Sequence, residues 1–321
     1  MRMMLKTAGD WMRRLWHTDK PLTGASVLML AVFVFALPGL VVDPRTITGM
    51  PAWMKPAKFG ISTAIFMLTL AWIFTYLPSW VKLRRIVGGA TAAILVLEVA
   101  IISVQAWRGT TSHFNVGTPL DGVLFSAMGT GIAIQTALSI AVAIALWRQP
   151  FLDRPLGWAL RLGLTISIIG ASTGGLMVTP TRTQLAEARV THNLPISGAH
   201  TVGAPDGGPA LPGVGWSREH GDLRVPHFLG LHAVQLLPLF VLVARRRGLP
   251  EVTRVHLTFV IAASYFSLFA ILLWQALRAQ SFVQPDALTL GAMAAWAIAT
   301  IAATWAVASR QQAAPSRAMV Y

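Results

Sequence analysis

The chain reads as an all-α polytopic membrane protein: a helix bundle of eight transmembrane helices arranged as two parallel four-helix repeats. Three observations carry that reading. Of the 321 residues, 55% are hydrophobic and only 12% charged, with a mean hydropathy of +0.60, whereas a soluble domain is about 25% charged. Apolar runs of about 20 residues recur, each long enough to cross a hydrocarbon layer about 30 Å thick. Short blocks of the first half also return in the second at a nearly constant offset.

Residues 1–21 are read as a cytoplasmic amphipathic arm. Met4, Leu5, Ala8, Trp11, Met12, Leu15 and Trp16 recur at helical spacing while Lys6, Arg13 and Arg14 lie off that stripe, as in a helix lying on a membrane surface. No small-x-small cleavage site ends the apolar run that follows, so the first span is expected to be retained. The spans are expected at 22–42, 57–77, 86–107, 122–147, 156–179, 224–244, 255–277 and 286–308. The first four make one repeat, 22–150; the last four make the second, 151–309, interrupted by a long outer loop at 180–223; a cytoplasmic tail occupies 310–321. Helices are expected rather than barrel strands because a spanning helix satisfies its own backbone hydrogen bonds. Trp53, Trp80, Trp107, Trp147, Trp158 and Trp274 fall near span ends, where interfacial aromatics belong.

The net charge is +14. The basic residues concentrate in the arm, in the loops holding Lys82, Arg84 and Arg85, Arg148 and Arg154, and Arg245, Arg246, Arg247 and Arg254, and in the tail. By the positive-inside rule both termini are cytoplasmic, which an even number of spans also requires. The expected location is a bacterial inner membrane, multi-pass, and the partner of this charge is anionic lipid rather than nucleic acid. The absence of cysteine excludes disulfides, iron–sulfur clusters, thiolate zinc, covalently attached haem and cysteine nucleophiles.

The offset blocks are specific in their order. Lys20-Pro21-Leu22 returns as Arg154-Pro155-Leu156. A shift of 170 sets Pro56 and Gly60 on Pro226 and Gly230, Arg84 on Arg254, and Gln105-Ala106-Trp107-Arg108 on Gln275-Ala276-Leu277-Arg278. Two like-oriented halves about an axis along the membrane normal are expected, an arrangement found in transporters. The chemistry departs from that symmetry, because Glu98 aligns with Leu268, His113 with Val283, and Ala57 and Ser62 with His227 and His232.

Candidate site residues follow from cost. An ionisable group inside a bilayer is expensive and is a functional hypothesis by default. Glu98 and His232 are the candidate catalytic residues. His113, His200, His227, His232, Arg108 and Arg224 are the candidate cofactor-binding residues, with Lys58 a further cation for an acidic group. Arg224, His227, His232 and Gln235 share an arc of roughly 140° at 100° per residue, which should face the interior of the bundle. Glu98 and Gln105, seven apart, share one helix face. The outer loop, rich in Gly and Pro, would hang His200 and Asp206 over the mouth.

Lys55-Pro-Ala-Lys-Phe59, Arg108-Gly-Thr-Thr-Ser-His-Phe-Asn115, Gly198-Ala-His-Thr-Val-Gly203 and Gly221-Asp-Leu-Arg-Val-Pro-His-Phe-Leu-Gly-Leu-His232 resemble the blocks of a bacterial family of uncharacterised multi-span integral membrane proteins. The four-plus-four outline is also similar to that of haem A synthases, which place histidines on the second and fourth helix of each half; of those four spans, only the sixth carries any here. Three functions are open at this point. One is redox chemistry with a b-type haem or a divalent metal in an outer-leaflet His/Arg/Glu pocket. Another is small-solute or proton-coupled transport. The third is a ligand-binding sensor or partner protein.

Overall fold

The computed structural model describes residues 8–313; of the amphipathic arm, Arg2, Met4, Leu5 and Lys6 lie outside the described residues, as does Arg317 of the tail. The described chain is helical apart from short strands and turns. The helices are α1 (Ala8–Thr18), α2 (Lys20–Val42), α3 (Met54–Phe74), α4 (Val81–Trp107), α5 (Pro119–Arg148), α6 (Arg154–Ser172), α7 (Gly174–Met177), α8 (Arg182–Thr191), α9 (Arg224–Leu231), α10 (Ala233–Arg246), α11 (Glu251–Leu277) and α12 (Ala287–Ala313). Seven of the described helices are long and apolar enough to cross a membrane, or eight if the bent pair α9 and α10 is one span. The chain is therefore an integral, multi-span membrane protein. Its lipid-facing surface is apolar, with Phe35, Val41, Ile298 and Trp305 more than half exposed.

Two compact units partition the chain. The first comprises the described part of Met1–Ala145 with Gly175–Ser217, and the second Leu146–Gly174 with the described part of Arg218–Tyr321.

In the first unit α2 packs along α3, and both pack on α4. Asp19 starts α2 by accepting the Leu22 amide at 2.9 Å, with Pro21 in the first turn. Gly60 lets α3 approach the α2 backbone, for an added Cβ would stand 3.0 Å from the Met29 carbonyl oxygen. After α2, Asp43 turns the chain by gripping Arg45 (Nη2–Oδ2 2.6 Å) and the Trp53 indole (2.9 Å). Strands β1 (Thr46–Ile47) and β2 (Met50–Pro51) pair antiparallel there, Thr46 opposite Pro51. Trp53 thus has a structural bond at this turn. Leu15 of α1 is fully buried, while Trp11 and Trp16 of the same apolar stripe are close to half exposed.

In the second unit α6 packs against α9, α10 and α11. Asp153 caps α6 through the Leu156 amide (3.3 Å), again with a proline in the first turn. Gly170 and Gly230 meet backbone to backbone; a Cβ on either would lie 2.5 Å from the other's Cα. α12 packs on α11, where the Trp296 indole donates to the Ser264 carbonyl at 2.9 Å. The most apolar stretch of α12 contains no buried residue.

Two features differ from the expected spans. The stretch 224–244 is not one straight helix but bends by 45° at His232. The His232 amide is shared between the Phe228 and Leu229 carbonyls, and the Gln235 amide bonds His232 instead of Leu231. The Leu231 carbonyl released by this slip accepts Ser167 Oγ at 2.8 Å, and the Leu229 carbonyl accepts Tyr265 Oη, so neighbouring helices stabilise the break. Within 180–223, Thr181 and Gln184 form a reciprocal capping box that starts α8.

The glycine contacts make a direct prediction. Gly170→Val should lower stability in detergent by about 1–3 kcal/mol through overpacking, read as a lower thermal midpoint. Gly129→Ala, where an added Cβ meets nothing within 4 Å, should not lower it.

Candidate functional site

Helix α4 carries Glu98 to an interior position that leaves it 3% exposed. The turn after α4 folds back over the helix end and brings the His113 ring to it, Nε2 3.7 Å from Glu98 Oε1. On the other side of the ring, His113 Nδ1 lies 3.0 Å from Lys55 Nζ of α3 and 3.1 Å from Ser112 Oγ. An ammonium only donates, so against charged Lys55 the Nδ1 atom accepts and Nε2 carries the hydrogen. Lys55, His113 and Glu98 thus stand in a row, a cation and a carboxyl separated by an imidazole that can take a proton on one nitrogen and give one from the other.

The turn is rigidly made. Asn115 Nδ2 donates to Thr110 Oγ1 (2.9 Å), and Asn115 Oδ1 accepts the Gly117 amide (3.1 Å). Phe114 takes a left-handed backbone conformation, φ 66°. Its carbonyl accepts the Ser197 amide (2.8 Å), and the Val116 amide donates to the Pro195 carbonyl (2.9 Å), which docks the long loop onto this turn. Gly198, φ 111°, is required there because a side chain would collide with the Met177 carbonyl and the Phe114 ring. Gln184 holds Gly198 at both its amide and its carbonyl.

His200 follows in that loop. Its ring packs on Phe114 at 4.7 Å, and Phe114 lies 6.0 Å from the His113 ring. His200 Nδ1 is 2.6 Å from Asp206 Oδ2, and Asp206 also accepts the His200 and Thr201 amides. Burial raises the Asp206 carboxyl, but the His200 side chain and the two amides outweigh it and hold it well below the usual carboxylate range.

Both candidate arginines are engaged by aspartates. Arg108 Nη1 donates to Asp121 Oδ1 (2.6 Å) and Gln105 Oε1 (2.5 Å), while Gln105 Nε2 and Thr118 Oγ1 complete the Asp121 carboxylate. Arg224 donates Nε and Nη2 to Asp222, at 2.9 and 2.6 Å. Lys58 donates to the Val214 carbonyl at 2.9 Å. Sequence reasoning did not pair any of these, nor Lys55 with His113. An Asp-x-Arg spacing at 43–45 and 222–224 was the visible signal for two of the forks.

In the second unit, His227 Nδ1 lies 3.0 Å from the Gly170 carbonyl and 3.1 Å from Thr173 Oγ1. The carbonyl only accepts, so Nδ1 carries the hydrogen. His232 sits at the helix break, its ring 4.3 Å from that of Phe228 and its side chain bonded to Gln235. Its five-residue spacing from His227 gives the two rings different partners.

The donor set fits a metal or haem poorly. Lys55 and Glu98 face the two nitrogens of His113, so ligation by that ring would require one of those contacts to break. Among the described residues no three of His, Asp and Glu gather closely enough to hold a metal ion. His227 does show the carbonyl-oriented tautomer that ligating histidines use. Compared with protein-family models, curated proteins and solved structures, the chain matches none.

The loop chemistry makes a prediction with a definite sign. A depressed Asp206 contributes stability that is present above its unfolded value of about 3.9 and lost only as pH falls through the lower folded value. Hydrogen-exchange protection factors of the His200 and Thr201 amides should therefore hold steady from about pH 7 to about pH 4. Asp206→Asn should cut them about tenfold or more at every pH in that range.

Proposed function

We propose that this protein is a proton-coupled membrane transporter whose proton-exchanging centre is Glu98, with His113 and Lys55 as its relay. One observation carries the reading: the row Lys55–His113–Glu98 inside an apolar bundle, at 3.0 and 3.7 Å. In the relay, Lys55 gives a proton to His113 Nδ1 as the Nε2 hydrogen passes to the Glu98 carboxylate, a step for which that 3.7 Å gap closes to hydrogen-bond distance or is bridged by one water. An ammonium and a carboxylate thereby become an amine and a carboxylic acid; the net charge is zero before and after, and neither group keeps a formal charge. Such neutralisation is what a carrier needs before a buried site can be exposed to a new environment.

Around this centre we propose a duplicated scaffold: a first repeat over 22–150, a second over 151–309, and an outer loop at 180–223. The common Asp–basic–Pro–Leu start of α2 and α6 supports the duplication. The positive-inside rule supports cytoplasmic termini in a bacterial inner membrane, with anionic lipid against the basic loops. Glu98 and His113 then face the extracytoplasmic half. Arg108, which holds Gln105 and Asp121 at the end of the helix that carries Glu98, acts in this reading as a positioning residue.

Infrared difference spectroscopy of the reconstituted protein tests the centre. Between about pH 5 and about pH 9 a carboxyl band that disappears in Glu98→Gln should exchange for carboxylate, and His113→Phe should slow that exchange. A Glu98 that keeps one protonation state across this range ends the proposal.

A further inference from the structure

Helix α4 holds more polarity than Glu98. Arg84, Thr91, Glu98 and Gln105 follow one another at seven-residue steps, a spacing that drifts by only about 20° per step and so draws one stripe along the helix. Thr91 and Gln105 are fully buried. Gln105 is occupied by Asp121 and Arg108, and Arg84 lies within electrostatic reach of Asp19. Thr91 differs: its hydroxyl has no hydrogen-bond partner among the described residues, not even the preceding turn of its own helix.

Helix α5 supplies the complement. Gln135 is 7% exposed; its Nε2 reaches Ser139 Oγ at 3.4 Å while its Oε1 has no partner among the described residues. The register of the two antiparallel helices puts these orphans at one depth. Gly131 sits on Ile94, where an added Cβ would lie 3.2 Å from Ile94 Cγ2, and Met128 packs with Ile101 and Ile102. From that Gly131–Ile94 contact, Gln135 lies about 6 Å further along α5 and Thr91 about 4.5 Å further along α4, in the same direction. At 100° per residue both turn to the same side of the contact, the side on which Glu98 also lies. A buried hydroxyl and a buried carbonyl oxygen without partners each cost on the order of 1–3 kcal/mol in protein interiors, and water is the smallest species that can donate to each.

We infer that Thr91 and Gln135 form a water-binding second station of the proton path, one that extends it from Glu98 towards the Arg84 end of α4. This rests on the proton-transport reading above and adds its direction. The step from Glu98 is about 10.5 Å, a file of two or three waters. In transfer, the Glu98 O–H bond breaks as an O–H bond forms on the nearest water. That water releases one of its own hydrogens to the next, leaving Glu98 as carboxylate and delivering one proton at the far end. In the second unit the residues 170 positions on are Arg254, Ile261, Leu268 and Gln275. The ends of the stripe persist and its middle is apolar, so the path belongs to the first unit alone.

The test uses the full-length protein in proteoliposomes with a trapped pH-sensitive dye, a potassium diffusion potential set by valinomycin driving proton entry. The wild type should acidify the lumen faster than protein-free vesicles. Thr91→Val combined with Gln135→Met should slow this at least about tenfold, with the Glu98 infrared band still titrating as in the wild type. Thr91→Ser, which keeps the hydroxyl, should restore wild-type flux and guards against a folding artefact. Wild-type flux in the double variant, or a wild type no faster than empty vesicles, overturns the second station while the infrared titration still judges Glu98. Loss of the Glu98 titration in the wild type overturns the underlying reading instead.

Discussion

Hydrocarbon neither donates nor accepts a hydrogen bond, and the architecture of this protein follows from that constraint. Every polar group carried into the bilayer must bring its partner or find one on a neighbouring helix. The second unit shows the rule at a helix break: when the α9–α10 junction slips its register, Ser167 takes up the Leu231 carbonyl and Tyr265 the Leu229 carbonyl. The first unit shows it at a helix end, where Asp121 at the start of α5 collects Arg108, Gln105 and Thr118. Against such thorough pairing, a row of ionisable groups at Glu98 and two nearby oxygens without partners among the described residues are departures that stability alone does not explain.

The two units use like devices. Gln275 and Arg278 end α11 as Gln105 and Arg108 end α4, and Arg278 engages Asp286 just before α12. Asp286 is held well below the usual carboxylate range, chiefly by that guanidinium. The clamps that close these helix ends are alike in the two units, while the middles of the two helices differ. Glu98 and Thr91 against Leu268 and Ile261 are where they differ. The buried carboxyl of the first unit thus faces an apolar residue at the matching step of the second unit's helix.

Much of this was legible in the sequence, and the reason is the same constraint. Long apolar runs report spans directly, and the helices found at Lys20–Val42, Val81–Trp107 and Glu251–Leu277 match the runs within a few residues. The basic–Pro–Leu starts were also visible, and so was Glu98 as a carboxyl within an apolar run, which the structure buries. What was not visible depends on the rotation of one helix against another. Lys55 meets His113, and His227 meets Gly170, because of how α3 and α9 are turned. No spacing within one segment encodes that. The bend at His232 has no proline at the break, and the carbonyl it frees is taken by Ser167, 64 residues away in sequence. Helix α8 is a different case. Its Thr181-x-x-Gln184 box lies in the sequence in plain view, hidden only by the length of the loop that contains it.

The last span, α12, has its most apolar stretch without a single buried residue. Beyond its contact with α11, that stretch is therefore left to the lipid around a multi-span chain. For this helix the thickness and tail order of the bilayer play the part that core complementarity plays elsewhere, so the lipid environment enters the thermodynamics of the folded chain through its final segment.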